Sequence, residues 1–210
     1  MLLSGTASAG AAIRLASPDG SALTGTADRK GAWRLAATAG PTPRLYSLSE
    51  LSAGRLVRAV GYIAVLPAPG PAAAMLRPAA SALVLSPAPS RGLASIDYDA
   101  SGAAMVSGRS APGETIRLAL DSREAGADRA DAAGSFSAPL SHPLAPGQHV
   151  LNLSGQRLRA SVGFAAARAT RVATPPFDAL RMDGAWRIDW MAPGGGVQST
   201  VLFDPRGGRS

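Results

Sequence analysis

The 210-residue chain holds two histidines, His142 and His149, and no cysteine, so few of its side chains could act as a general base or a soft metal ligand near neutral pH. His142 stands between Ser141 and Pro143 in a stretch that reads as loop. A serine and a histidine adjacent in sequence do not make a nucleophile and base pair, which needs side chains brought together from separate places. His149 opens a strand-like run just after Pro146-Gly147. No catalytic residue is assigned. A chain without thiols forms no disulfide and no thiolate metal site, and its composition fits a cytoplasm and a bacterial periplasm equally well.

Asp97-Tyr98-Asp99-Ala100-Ser101-Gly102 begins like a calcium loop, with oxygen ligands at alternating positions and a glycine for the sharp turn. The twelfth position is Gly108 where the bidentate Glu belongs, so the ligand count fails and the segment is expected to be a β-turn. Gly194-Gly195-Gly196 could cradle an anion, but a phosphate loop needs a helix start and usually a Lys. The next residues, Val197-Gln198-Ser199-Thr200, read as strand, so a hairpin loop is expected and neither cofactor nor metal is assigned. Trp186 and Trp190, with Ile188 between them, fall on one side of a strand. They either stack on sugar rings or pack inside. Together with Arg187 on the same run and Tyr46, beside Arg44 in a segment read as loop, they are the candidate ligand contacts.

The formal net charge is +7 and the isoelectric point about 11.1. The basic residues are 20 Arg and a single Lys, Lys30, scattered with no run of three and little aromatic interleaving. That pattern reads as a solvated, Arg-biased surface rather than a nucleic-acid face, though it favours weak attraction to anionic polymers. The longest run free of Asp, Glu, Lys, Arg and His, Ala59 to Leu76, has the length of a membrane span, but Pro67, Pro69, Gly70 and Pro71 would break a helix through it. A strand followed by a linker is expected there. No transmembrane segment is read.

Glycine-marked turns set the elements that position these residues. From Val106 to Leu153, Ser107-Gly108, Pro112-Gly113, Asp131-Ala132-Ala133-Gly134 and Pro146-Gly147 punctuate short runs of alternating apolar residues, the rhythm of an antiparallel β domain. The rhythm repeats. Leu3-Ser4-Gly5, Ala9-Gly10, Ile13-Arg14-Leu15, Asp28, Gly31 and Trp33 recur 103 positions later as Val106-Ser107-Gly108, Pro112-Gly113, Ile116-Arg117-Leu118, Asp131, Gly134 and Phe136. The chain therefore carries one domain type twice, each copy of a size typical of a small sandwich. With 46% hydrophobic residues but only 5% aromatic, each core is expected to be thin, built from Leu, Val and Ile around Trp33 or Phe136.

In the first copy, turns are expected at Ala9-Gly10 and Pro18-Asp19-Gly20, and a hairpin across Asp28 to Gly31. Pro41 to Glu50 reads as an inserted loop, Arg55 to Leu66 as a long strand region, and Ala82 to Leu85 as a last strand before the Pro87-Ala88-Pro89 linker. The second copy repeats the hairpin across Asp131 to Gly134 and closes with Arg157 to Phe164. Beyond Pro175-Pro176, Gly184 to Trp190 and Val197 to Phe203 form a hairpin, which must pack on the second domain or on a partner because isolated hairpins are marginal in water. Met1-Leu2-Leu3 runs straight into Ser4-Gly5, with no opening strand and no signal peptide visible. The true start is expected to lie upstream.

At Ser107-Gly108, Pro112-Gly113, Ile116-Arg117-Leu118, Gly126, Ala130 to Gly134 with Phe136, and Leu144-Ala145-Pro146-Gly147-Gln148-His149, the chain resembles the bacterial Ig-like domains repeated in envelope, adhesin-like and peptidoglycan-associated proteins. The resemblance covers about fifty residues of the second copy and is weaker in the first, where Ala9-Gly10 replaces Pro-Gly. It implies a Greek-key sandwich in an exported protein with no activity of its own.

The expectation is an all-β chain of two tandem Ig-like Greek-key β-sandwiches, 1–88 and 92–174, with a C-terminal β-hairpin extension at 175–210. Such a chain would act as a non-enzymatic structural or interaction module of a bacterial cell envelope, periplasmic or at the cell surface, presenting loops and sheet edges to an envelope protein or an anionic or carbohydrate polymer. The alternatives are a peptidoglycan-binding module using the Trp186/Trp190 hairpin, the ancillary domains of an envelope hydrolase, and, for compartment, the cytoplasm.

Overall fold

The computed structural model describes residues 1–70, 72–87, 90–168 and 170–204. Pro71, Ala88 and Pro89, which belong to the two expected linkers, and residues 205–210 lie outside the described residues. Every regular element among the described residues is a β-strand, and none of the described residues is helical.

The second copy shows the plan most fully. It runs β10 (Gly92–Asp99), β11 (Ala104–Arg109), β12 (Thr115–Leu120), β13 (Arg123–Arg129), β14 (Ser135–Pro139), β15 (Gly147–Ser154) and β16 (Arg159–Ala166). One sheet takes the order β14-β11-β10 and the facing sheet β13-β12-β15-β16, all antiparallel. Alternation puts Ile116 and Leu118 inside while Thr115 and Arg117 face solvent. The core between the sheets gathers Ile96, Val106, Ile116, Leu118, Phe136, Leu151, Leu153 and Phe164.

Among the described residues the first copy repeats this plan from the equivalent of β11 onward. Strands β1 (Leu2–Thr6) and β4 (Ala32–Ala36) form a two-stranded layer against β2 (Ala12–Ala16), β3 (Ala22–Thr26) and β5 (Arg44–Ser52). The long strand region expected from Arg55 to Leu66 is two strands, β6 (Arg55–Arg58) and β7 (Tyr62–Val65), each pairing with a different half of β5. They are parted at Gly61, whose φ is +100° and where a Cβ would stand 2.0 Å from the Leu76 carbonyl oxygen. Beyond them β8 (Ala73–Leu76) and β9 (Leu83–Ser86) extend the same sheet.

Four readings are corrected here. The segments across Asp28 to Gly31 and Asp131 to Gly134 are not hairpins. Each has tight-turn hydrogen bonds, Asp28 N to Ala32 O at 2.8 Å and Asp131 N to Ser135 O at 2.8 Å, but the flanking strands then part into opposite sheets. The Pro41 to Glu50 insertion is mostly strand; its alternation is lost where the adjacent Leu45 and Tyr46 of β5 are buried in different cores. Ala73 to Leu76, read as linker, is a strand whose short alanines carry no pattern once fully enclosed. The C-terminal hairpin of β18 (Ala185–Met191) and β19 (Val197–Phe203) is present, but β17 (Phe177–Met182) adds a third strand.

These three strands complete the second copy's sheet. β19 pairs with β10, giving the order β14-β11-β10-β19-β18-β17. One face of this sheet closes the second core through Ala185, Val201 and Phe203. The other face, with Trp186, Ile188, Trp190 and Leu202, packs on Leu45, Ala64, Leu66, Ala74, Leu76 and Val84 of the first copy. The six-stranded sheet is thus a wall between two cores, and the layers stack four deep.

Candidate interaction surface

The wall is fastened by a buried carboxylate. Asp97 lies on β10 beside the bulge at Leu93/Ser95, its side chain aimed at the first copy and 5% exposed. Its Oδ2 accepts from the Ala82 amide of the first copy at 2.9 Å and from Ser95 Oγ at 2.6 Å, while Oδ1 accepts from Thr200 Oγ1 at 2.7 Å. Thr200 in turn accepts from Trp190 Nε1 at 3.2 Å, and Ser95 Oγ bonds Ser107 Oγ at 2.9 Å. Burial pushes the Asp97 carboxyl up to about 6 against these donors. One side chain therefore ties together the first copy, the second copy and the C-terminal strands.

Trp186 and Trp190 share one face of β18, as their spacing predicts, but that face is inside. Trp190 is 1% exposed and meets Tyr62 edge-on at 5.9 Å; Trp186 is buried too and donates from Nε1 to the Pro69 carbonyl at 3.2 Å. The reading of these rings as a sugar-stacking platform is corrected: the first copy's sheet covers them. Arg187 on the opposite face pairs with Asp189 at 2.9 Å and donates to the Ala167 carbonyl at 2.7 Å. Tyr46 is a core residue of the first copy, since its segment is strand rather than loop. The four candidate contacts are not brought together at a surface.

The histidines part as well. His142 is exposed, whereas His149 places Nδ1 2.7 Å from Asp121 Oδ2 and Nε2 2.8 Å from the Ala145 carbonyl. Burial lowers its pKa, but the two acceptors outweigh that and raise it above the usual 6.5. With both ring nitrogens turned to protein acceptors, neither is presented to a substrate as a base. Asp99 caps its own turn, accepting from Ser101 N at 2.8 Å and Ser101 Oγ at 2.6 Å, while Asp97 serves the junction. Gly194 to Gly196 all have positive φ, and Ala192 N to Gly196 O at 3.0 Å closes the expected hairpin loop.

Two groups escaped the reading of the sequence. Glu114 accepts from Ser110 Oγ, from Arg157 N at 2.5 Å and from Leu158 N at 3.2 Å, and the Arg157 amide and Ser110 hydroxyl hold its carboxyl down to about 2. Arg181 forms a two-point pair with Asp204 at 2.9 and 2.5 Å beside the Trp186 ring. Both lie on turn or strand segments that sequence spacing leaves far from their partners. At the junction of the two copies a cleft of about 380 Å³ is lined by Arg77, Arg109 and Arg129, by Asp128 and Asp131, and by serine hydroxyls that include Ser135.

The strand order defines the class: an all-β chain of tandem Ig-like sandwiches, the second having its first, second and fifth strands in one sheet and its fourth, third, sixth and seventh in the other. No protein-family model matches the chain, and no curated protein sequence is similar to it. Among solved structures, the central fibronectin-III array of RIM-binding protein is similar over 91% of this chain and 76% of that chain, at 10% sequence identity and a TM-score of 0.28.

Proposed function

We propose that the chain is a non-enzymatic interaction module of a bacterial cell envelope, periplasmic or at the cell surface, whose modules 1–88 and 92–174 are locked by the C-terminal strands into one rigid unit. The observation that carries this reading is where the perturbed ionisable groups sit. Asp97 fastens the junction, Glu114, Asp121 and Asp19 hold turns, Arg44 bonds the Tyr46 side chain, His149 faces two protein acceptors, and Arg181 braces the C-terminal strands. In an active site such groups are matched to a reaction; here each is held by the protein's own backbone or side chains. The compartment is inferred from the resemblance of the turn motifs to envelope repeats.

The partner is an envelope protein or an anionic or carbohydrate polymer, met at the arginine-lined junction cleft. Arg77, Arg109 and Arg129 give it a net positive lining over two aspartates, so binding to an anionic polymer weakens with salt. Fractionation of cells producing the protein, with co-sedimentation of purified protein on isolated cell-wall and outer-membrane fragments, tests this. Recovery with the envelope, salt-sensitive and reduced in Arg109→Ala/Arg129→Ala, is expected. Recovery with a cytoplasmic marker and no sedimentation overturns it.

A further inference from the structure

The first copy covers only part of the wall. The core between them takes residues from β10, β17, β18 and β19 and none from β11 or β14. The long sheet of the first copy stops at β9, where Leu83 is 47% exposed. Beyond that edge β11 and β14 turn Ser107, Arg109, Ser135 and Ser137 to the first copy's side, because Val106, Phe136 and Ala138 take the alternate positions inside. Edge and uncovered strip form a step. The junction cleft of about 380 Å³ lies in its angle, within the size range of small-ligand sites.

Three guanidiniums are held in this cleft by the protein's own backbone. Arg77 donates from Nε to the Ser81 carbonyl at 2.8 Å, Arg129 from Nε to the Gly113 carbonyl at 3.1 Å, and Arg109 from Nη2 to the Ala133 carbonyl. None of the three is in an ion pair among the described residues. A guanidinium carries five N–H donors, so each keeps donors to spare after that bond. Arg77 belongs to the first copy and Arg109 and Arg129 to the second, while Ser81 Oγ and Ser137 Oγ, 2.7 Å apart, bridge the copies beside them. The locked junction therefore fixes the spacing of the three charges.

The two carboxylates in the lining decide what kind of anion fits. Asp128 accepts from Arg129 N and Ser137 N, each at 2.7 Å, and Asp131 accepts from Ser135 N at 2.8 Å. An ionised carboxylate has about four lone-pair sites, so both can still accept. A polymer whose polar groups are all anionic, such as polyphosphate, has nothing to donate to Asp128 and Asp131 and is repelled by them. A sugar chain with ring carboxylates sets each carboxylate on a guanidinium fork and its hydroxyls on the aspartates and serines. Phe136, the aromatic residue of the lining, is buried, so a neutral sugar finds no ring to stack on and the acid group carries the affinity.

We infer that the junction cleft binds an acidic polysaccharide, with sugar-ring carboxylates on the guanidiniums of Arg77, Arg109 and Arg129 and ring hydroxyls donating to Asp128 and Asp131. The inference rests on the reading of the chain as an interaction module that meets its partner at this cleft, and it selects one of the partners named there. The guanidiniums supply affinity, and the aspartates supply selection for a hydroxylated anion over a bare one.

The probe is hexagalacturonate, titrated into the full chain by calorimetry and by NMR of the arginine Nε–H groups. Binding with shifts at Arg77, Arg109 and Arg129 is expected, and the methyl ester of the same hexasaccharide, which keeps the hydroxyls and loses the charge, should bind about tenfold more weakly or worse. Arg77→Gln and Arg109→Gln should each weaken hexagalacturonate about tenfold. Should either variant unfold, the ester comparison on the wild-type protein still decides. Asp131→Asn separates recognition from bare charge: it should weaken hexagalacturonate and strengthen polyphosphate, whereas a site that reads charge alone gains affinity for both. Equal binding of the ester, a gain for both ligands in Asp131→Asn, tighter binding of hexaglutamate than of hexagalacturonate, or shifts away from the three arginines overturns the inference. Envelope sedimentation separates the two proposals: sedimentation retained without hexagalacturonate binding overturns the glycan site alone, and binding by a protein recovered with the cytoplasmic marker overturns the envelope role alone.

Discussion

Gly5 faces Trp33 directly across the β1–β4 pair, and a Cβ at Gly5 would stand 2.7 Å from Cζ2 of the indole. One repeat later Gly108 faces Phe136, with the ring's Cζ 2.6 Å from the same built position. The glycine is thus the floor on which each copy's central aromatic lies. The sequence repeats the pair because the ring and the missing side chain occupy one space.

Gly5→Ala and Gly108→Ala should each destabilise the protein, by about 1–3 kcal/mol as overpacking of an enclosed site. Gly108→Ala should be the worse, because its Cβ would also stand 2.2 Å from the Gly92 carbonyl oxygen, which is backbone and cannot rotate away. Urea midpoints of the two variants check the order. Equal midpoints would show that the ring, and not the neighbouring strand, sets the penalty.

The junction carboxylate makes an unusual pH limb. Asp97 is pushed up from 3.8 to about 6 by burial, so the folded state holds its proton where the unfolded chain has lost it. Below 3.8 the group is protonated in both states; as pH rises from there through about 6, stability falls. Asp97→Asn keeps the shape and removes that limb, so its midpoint should vary less than wild type between those pH values. Asp97→Ala strands the Ala82 amide and the Ser95 and Thr200 hydroxyls, and should cost about 1–3 kcal/mol.

Glu114 works in the opposite direction. Its carboxyl is held at about 2 against an ordinary 4.5, chiefly by the Arg157 amide, so its contribution is complete above 4.5 and is lost as pH falls toward 2. Glu114→Gln should abolish that acid limb and loosen the turn at Arg157 and Leu158, read as faster amide exchange at those two residues. The first copy has Ala11 at the equivalent place, where Glu50 reaches across to Ser8 N at 3.1 Å instead.

What the sequence made legible was the local chemistry of bending. Gly31 and Gly134 have φ of +81° and +80°, and a Cβ at either would strike the carbonyl of Ala7 or Ser110, so both copies need glycine and both display it. The destination of each strand after the bend was not legible. Asp28 and Asp131 form the same hydrogen bonds whether the next strand turns back or crosses to the facing sheet. Alternation also fails where a strand is covered twice. Leu45 and Tyr46 are adjacent and both buried because they face different cores, and Asp97 looks like a surface residue only until the wall's second face is seen. The side of β18 that carries both tryptophans could be read from spacing; the sheet that covers them comes from more than a hundred residues away.

That long-range covering gives the tryptophans a test of their own. Trp33, Trp186 and Trp190 are all buried, and Trp190 is nearly sealed. Their emission should be blue-shifted and resistant to acrylamide, and soluble peptidoglycan fragments should leave it unchanged, whereas a stacking platform would respond to both. Trp190→Ala removes a ring that touches Tyr62 and hydrogen-bonds Thr200, and should cost about 3–5 kcal/mol. The Trp190 ring belongs to the core between the two copies rather than to the core of either, so the loss should appear in Asp97 as well. Water reaching the Thr200 hydroxyl would relieve the burial that raises the carboxyl, and NMR titration should find its pKa lowered toward 3.8. An unchanged Asp97 titration in a destabilised Trp190→Ala protein would mean that the junction's polar and apolar halves act separately.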